Sequence, residues 1–228
     1  MSSWTRAGAP IFCLFTDYVS LYSNYFFVLE LEKEILSMKC VDELKNNDTY
    51  KTIMSRCYET VQNNPHHIYS VGDHIDAVVD HIPTDMKDDE ILVMSAMLHD
   101  IGKPDVKDTK PDGTDRFVGH AKRSAEVSAP ILDEIGFGEE EKQAILWIIE
   151  HHEIGDPVKA KTMKKWLKDT TKETVARLFV LRIADIEGQS EYQKSEKIAV
   201  VRQNLETFSS VLEEEGEQDD IVTALLRA

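Results

Sequence analysis

The sequence predicts an all-α protein, a helical bundle with an additional N-terminal helical segment. Apolar residues recur at three- and four-residue steps from about residue 48 onward, the period of helices with one buried face. Capping and stop residues fall where those segments begin and end. No internal repeat and no Gly/Pro/Ser-rich linker divides the chain, so one domain is expected.

The elements follow in order. Residues 7–31, "AGAPIFCLFTDYVSLYSNYFFVLEL", are rich in aromatics and carry one charge, Asp17, before Glu30. Asp17, Ser20, Ser23 and Asn24 interrupt any membrane span, and Arg6 alone makes a poor signal-peptide n-region. A helix or arm packed on the domain or on a second subunit is expected. Residues 1–47 are thus read as an aromatic-rich helical extension and 48–228 as the main domain, with its core over 60–190 and C-terminal helices after it.

Two periodic segments lie between 48 and 82, divided at "NNPHH". Pro65 suits the first turn of the second, after Asn63 or Asn64 as cap. Ile68, Val71, Ile75, Val78, Val79 and Ile82 then mark its apolar face. "KDDEILVMSAMLHDI" has acids in its first turn, Gly102 just past its end and Pro104 barring continuation. Residues 104–118 are polar, with a turn at Pro111-Asp112-Gly113, and read as a loop or short hairpin. Helices resume at "GHAKRSAEVSAPILDEIG", "GEEEKQAILWIIEHHE", "AKTMKKWLKD", "TKETVARLFVLRIADIEG" and "EKIAVVRQNLETFSSVLEEEG", and a short one closes the chain after the acidic turn 213–220.

Bulk composition narrows function. The 228 residues carry a formal net charge of −16. A broad positive surface for long nucleic acid or an anionic membrane is not expected, so a phosphate-bearing substrate would need metal ions or a few focused lysines and arginines. Three cysteines, Cys13, Cys40 and Cys57, with no CxxC spacing, read as a reducing, cytoplasmic setting.

All eight histidines fall between residues 66 and 152. His74 lies inside one amphipathic helix, His99 and Asp100 close the next, His120 opens another, and His151 and His152 close the one after. Asp185 sits in the otherwise apolar "LFVLRIAD", where a carboxylate is costly unless paired, with Arg182 as a candidate partner. One such residue per helix can converge on a central point in a bundle. Imidazoles with carboxylates suit Mn, Fe, Co, Ni or Zn and not a purely oxygen-seeking ion such as Ca.

The ordered set formed by "VGDHIDAV", "LHDIGK", "GH", "EHHE" and "AD" resembles the HD superfamily of metal-dependent phosphohydrolases, over roughly residues 60–190. "VQNNPHHIYSVGDHIDAVVDHIP", "RFVGHAKRSAEV" and "KTMKKWLKD" resemble more narrowly the HD domain of bacterial CCA-adding tRNA nucleotidyltransferases. The resemblance implies an HD-domain helical bundle with a metal site made by His74, His99, Asp100 and Asp185. His120 and one of the pair His151/His152, with His151 favoured, match the extra ligands of two-metal members, so one or two ions are implied. Asp100 would also orient the nucleophile, and Lys103 would face the substrate phosphate from near the rim. Arg123, one helical turn past His120, is a further candidate for substrate binding.

No glycine-rich nucleotidyltransferase strand with a paired-carboxylate motif precedes this region, so a stand-alone HD protein is expected and tRNA is not inherited as a partner. The expected activity is hydrolysis of a small nucleotide or phosphate ester, a phosphomonoester or a 2′,3′-cyclic phosphodiester. The alternatives are a di-iron oxygenase of the same ligand order and a non-catalytic metal- or nucleotide-binding sensor that dimerises through the aromatic arm. Stable membrane insertion is not expected; a homo-oligomer is left open.

Overall fold

The computed structural model describes residues 40–66 and 69–227. The aromatic stretch 7–31 and Ile68 lie outside the described residues. After a helical stretch over 40–46, helix α1 spans Asp48–Glu59, α2 Val71–Asp80, α3 Glu90–Leu98 and the single turn α4 Lys103–Val106. Strands β1 (Asp108–Thr109) and β2 (Asp115–Arg116) form an antiparallel hairpin. Helices α5 (His120–Glu134), α6 (Glu139–His151), α7 (Ala160–Asp169), α8 (Lys172–Glu187), α9 (Lys194–Glu214) and α10 (Asp220–Arg227) complete the bundle. No helix among the described residues is long and apolar enough to cross a membrane.

Helix α3 is the axis of the core. Every residue from Leu92 to Leu98 is buried, as expected of a helix enclosed on all sides, and α2, α6 and α8 pack around it. Its start is fixed by Asp89, whose side chain accepts from Leu92 N at 3.0 Å. The same carboxylate takes Arg177 Nε of α8 at 2.7 and 2.9 Å, locking the two central helices in register. The two helices that carry the acidic site residues are thus tied together at the end remote from the site.

Helix α2 begins at Val71, six residues beyond the start expected from Pro65. Ser70 is its cap, accepting from Asp73 N at 3.1 Å. The described part of the preceding segment is not helical because its backbone has distant partners. Val71 N donates to Thr60 O, Asp115 N donates to Asn63 O, and Ser190 N donates to His66 O, each at 2.9 Å. Three parts of the chain are stitched to this segment, and a helix there would break every one of those bonds.

Gly102 differs from its expected role as well. Its φ of −82° needs no glycine, and Lys103–Val106 continues as a further turn with Pro104 in its first positions. The glycine is required by close approach. A Cβ there would lie 2.4 Å from Ser124 N and 2.7 Å from the Arg123 carbonyl carbon, both backbone atoms of α5. Gly102→Ala is therefore expected to cost about 3 kcal/mol in urea unfolding, the range of overpacking against atoms that cannot move aside. An unchanged midpoint would show that α5 can shift away.

Candidate metal centre

Three helices and the ends of two others bring the site together. His74 projects from the middle of α2, His99 and Asp100 follow the end of α3, His120 is the first residue of α5, His152 follows α6, and Asp185 lies in the last turn of α8. All six are buried. Asp100 is the hub. Its Oδ2 is 3.4 Å from His74 Nε2 and 3.3 Å from His99 Nε2, and its Oδ1 is 3.1 Å from His120 Nε2 and 3.6 Å from His152 Nε2. Asp185 Oδ1 lies 3.1 Å from His74 Nε2. Two potential metal-binding groups result, His74–His99–Asp100 and Asp100–His120–His152, which share the Asp100 carboxylate.

The ring orientations are set from outside. His74 Nδ1 lies 3.2 Å from Gly188 O, His99 Nδ1 2.8 Å from Ala96 O, His120 Nδ1 2.8 Å from Phe117 O and His152 Nδ1 2.7 Å from Ile149 O. A carbonyl can only accept, so each Nδ1 carries the proton and each inward Nε2 presents a lone pair. The centre is then a cluster of acceptors facing acceptors. His120 Nε2 and His152 Nε2 are only 3.2 Å apart. His99 Nε2 and Asp100 Oδ1 are buried with no hydrogen-bond partner. A divalent cation is the group that fits this crowded set of inward-facing ring nitrogens and carboxylate oxygens. Nitrogen and carboxylate oxygen together suit a transition ion.

Burial acts to raise the Asp100 carboxyl. The facing His99 imidazole, the Lys103 ammonium at 2.6 Å and the nearby His120 and His152 rings outweigh it and hold the group well below the usual carboxylate range. Asp185 is likewise held well below that range, with burial opposed by the His74 contact and the Arg182 charge. Arg182 is the Asp185 partner that the sequence suggested, Nη1 to Oδ2 at 2.5 Å. Gln189 Nε2 adds a bond to Asp185 Oδ1 at 2.9 Å.

Three expected positions are corrected. His151 does not join the centre. Its ring stacks on Trp147 with centroids 4.1 Å apart and meets Trp166 edge-on, while its Nδ1 bonds to Trp147 O. His152 takes the place, because buried Ile145, Ile148 and Ile149 define the inward face of α6 and position 152 continues it. Lys103 is not at a rim. It is buried, with Nζ 2.6 Å from Asp100 Oδ2 and 3.0 Å from Gln62 Oε1. Arg123 does not line the cavity. Its guanidinium is bound on the outer side of α5 by Asp105 at 2.8 Å and Glu126 at 3.3 Å.

The centre opens onto a cavity of about 820 Å³. Asp100, His120, His152 and Asp185 reach its wall, where Lys103, Lys110, Arg116, Arg182 and Lys197 stand beside the carboxylates of Asp100, Asp115, Glu153 and Asp185, a near-balanced lining in an acidic chain. None of Gln62, Gln189 and Lys197 stood out in the sequence. They are single polar residues with no spacing relation to the histidines.

The β1–β2 hairpin covers one side of this cavity and is pinned by Asp115. Asp115 accepts from Thr109 Oγ1 at 2.6 Å, from Asn63 N at 2.9 Å and from Lys107 Nζ at 2.9 Å. Burial works against its ionisation, but these three donors prevail and pull the carboxyl down to about 2. A depressed carboxyl contributes stability above its unfolded value of about 4, and that contribution is lost as pH falls through about 2. Asp115→Asn is expected to cost about 1–2 kcal/mol near neutral pH, with the gap closing as pH falls from about 4 to about 2. Paired urea melts at the two extremes check this. A gap that persists unchanged in acid would assign the loss to packing alone.

No curated protein matches this chain. The HD domain family matches residues 66–187, more than half of the 228, and takes in His74, the His99–Asp100 pair, His120, His152 and Asp185. The HD superfamily is one of metal-dependent phosphohydrolases, and the buried imidazole–carboxylate cluster could hold their metal. By the family match and by the geometry of its site, the chain belongs to the HD-domain family.

Proposed function

We infer that the protein is a metal-dependent phosphohydrolase acting on a small nucleotide or phosphate ester. The observation that carries this reading is the buried imidazole–carboxylate cluster opening onto a cavity that gathers five lysine and arginine side chains in a chain of net charge −16. With Asp100 and Asp185 serving the metal, five cations face two remaining carboxylates, Asp115 and Glu153, where an anionic substrate would meet the cluster.

His74, His99, Asp100 and Asp185 would hold one divalent ion, and Asp100, His120 and His152 a second. Such an ion supplies a coordinated water acidified to about pKa 7 and neutralises phosphoryl charge. The chain's own groups do the positioning. Asp100 accepts a hydrogen bond from the attacking water and aligns it. The Lys103 ammonium, now 2.6 Å from Asp100, donates to a phosphoryl oxygen as charge develops. Arg182 and Gln189 keep the Asp185 carboxylate from rotating. The Nδ1–carbonyl bonds keep four rings in the one tautomer that can ligate.

The narrower likeness to the HD domain of CCA-adding enzymes favours 2′,3′-cyclic phosphodiesters and nucleotide monophosphates as substrates. The test is hydrolysis, with each of Mn, Co, Ni, Zn and Mg, of a nucleotide monophosphate panel, read as phosphate release, and of 2′,3′-cyclic nucleotides and a generic phosphodiester, read as release of the monoester product. Release with at least one metal supports the reading. Two irons per chain with oxygen uptake, and no phosphate release, would replace it with the oxygenase. Tight nucleotide binding without turnover would replace it with a sensor.

A further inference from the structure

One corner of the cavity is not used by the metal centre. It is built from the segment before α2, from α8 and from the first turns of α9, through His66, Arg182 and Lys197, all of which line the wall. Lys197 is half-buried and forms no ion pair among the described residues; its Nζ donates to the neutral Gln189 Oε1 at 2.6 Å. Burial and the nearby charges of Arg182 and Lys194 lower its proton affinity. Arg182 gives one nitrogen to Asp185, while its Nε is buried without a hydrogen-bond partner. His66 Nδ1 is also buried without one. Its ring is held edge-on to Tyr192 with centroids 4.9 Å apart. Burial first, then Lys197 and Arg182, disfavour its protonation, so it offers a neutral donor.

Two cations and an imidazole are thus gathered with one carboxylate among them, and that carboxylate, Asp185, belongs to the metal centre. Once it serves there, the corner holds uncompensated positive charge and unused donors. Gln193, at the start of α9, lies on the same wall, so the positive end of that long helix faces the corner too. Arg182 has only the one ion pair with Asp185 and Lys197 has none among the described residues, so an anion between them would be stabilised.

We propose that His66, Arg182 and Lys197 form a second anion subsite, so that the substrate carries a second phosphate besides the one presented to the metal centre. The proposal rests on the phosphohydrolase reading for the role of the first phosphate, but not for the existence of the subsite. Lys197 is joined to Asp185 through the Gln189 amide by two successive hydrogen bonds, a separation that one nucleotide spans.

The test is calorimetric binding of AMP, ADP and adenosine 3′,5′-bisphosphate to metal-loaded protein in the cold, with each ligand assayed afterwards to confirm that it is intact. At least one of the two-phosphate nucleotides is expected to bind about tenfold or more tightly than AMP. Lys197→Gln, which can keep the bond to Gln189, is expected to bring that nucleotide down to the affinity of AMP. Equal affinities for all three in the wild type, or a variant that weakens AMP as much as the bisphosphate, would overturn the proposal. The two readings fail separately. A Lys197-dependent gain without phosphate release under any metal keeps the subsite and removes the hydrolase. Phosphate release without the gain does the reverse.

Discussion

Asp100→Ala is expected to abolish phosphate release, lowering kcat/KM by about 10³-fold or more, and to remove bound metal at both groups together. The reason is its central position. One carboxylate reaches His74 and His99 with Oδ2 and His120 and His152 with Oδ1. No other side chain among the described residues joins the two groups. Its loss leaves imidazole lone pairs without a bridging charge and the buried Lys103 ammonium without its anion. Asp100→Asn separates these effects. It keeps the shape but not the charge, and is expected to retain the fold while losing metal and turnover. Metal analysis of the purified variants, with a thermal melt as control, checks the assignment. Full metal content and full turnover in Asp100→Ala would remove Asp100 from the centre.

The second large effect distinguishes two adjacent residues. His152→Ala is expected to lower turnover by about 10²-fold or more and to halve the metal content, because it empties one position of the Asp100–His120–His152 group. His151→Ala is expected to keep both within about twofold. Its cost is structural, the loss of stacking on Trp147 and of the edge contact with Trp166, about 1 kcal/mol or somewhat more. Kinetics and metal content of the two variants, measured side by side, decide this. Equal losses in both would mean that α6 is rotated from the arrangement described.

The contrast shows what the sequence made legible. Most helices could be read because each buries one stripe, whereas the cap of α2 is Ser70 and not the expected Asn63 or Asn64. The centre could be read as one chemistry-bearing position per helix. The choice between His151 and His152 was also within reach, since Ile145, Ile148 and Ile149 already set the inward face.

Other features had no local signal. The segment before α2 is extended because Asn63 bonds to Asp115, 52 residues away, and no window of sequence contains both partners. Gly102 looked like a helix stop, but the backbone of α5 demands it. Lys103 was expected near the rim, facing a substrate phosphate, yet Asp100 and Gln62 together draw it inside. Arg123 has the right helical spacing from His120, but Asp105 and Glu126 hold it outside. In each case the deciding partner comes from elsewhere in the fold.

The most direct test of the central claim is a metal titration of chelator-stripped wild-type protein with Mn or Co, following bound ion and phosphate release from a responsive nucleotide in the same sample. Release is expected to be absent without metal, to rise in step with bound ion, and to stay at background throughout in Asp100→Ala. Release that persists in the stripped protein, or that survives in Asp100→Ala, would contradict a metal-activated centre built on this carboxylate.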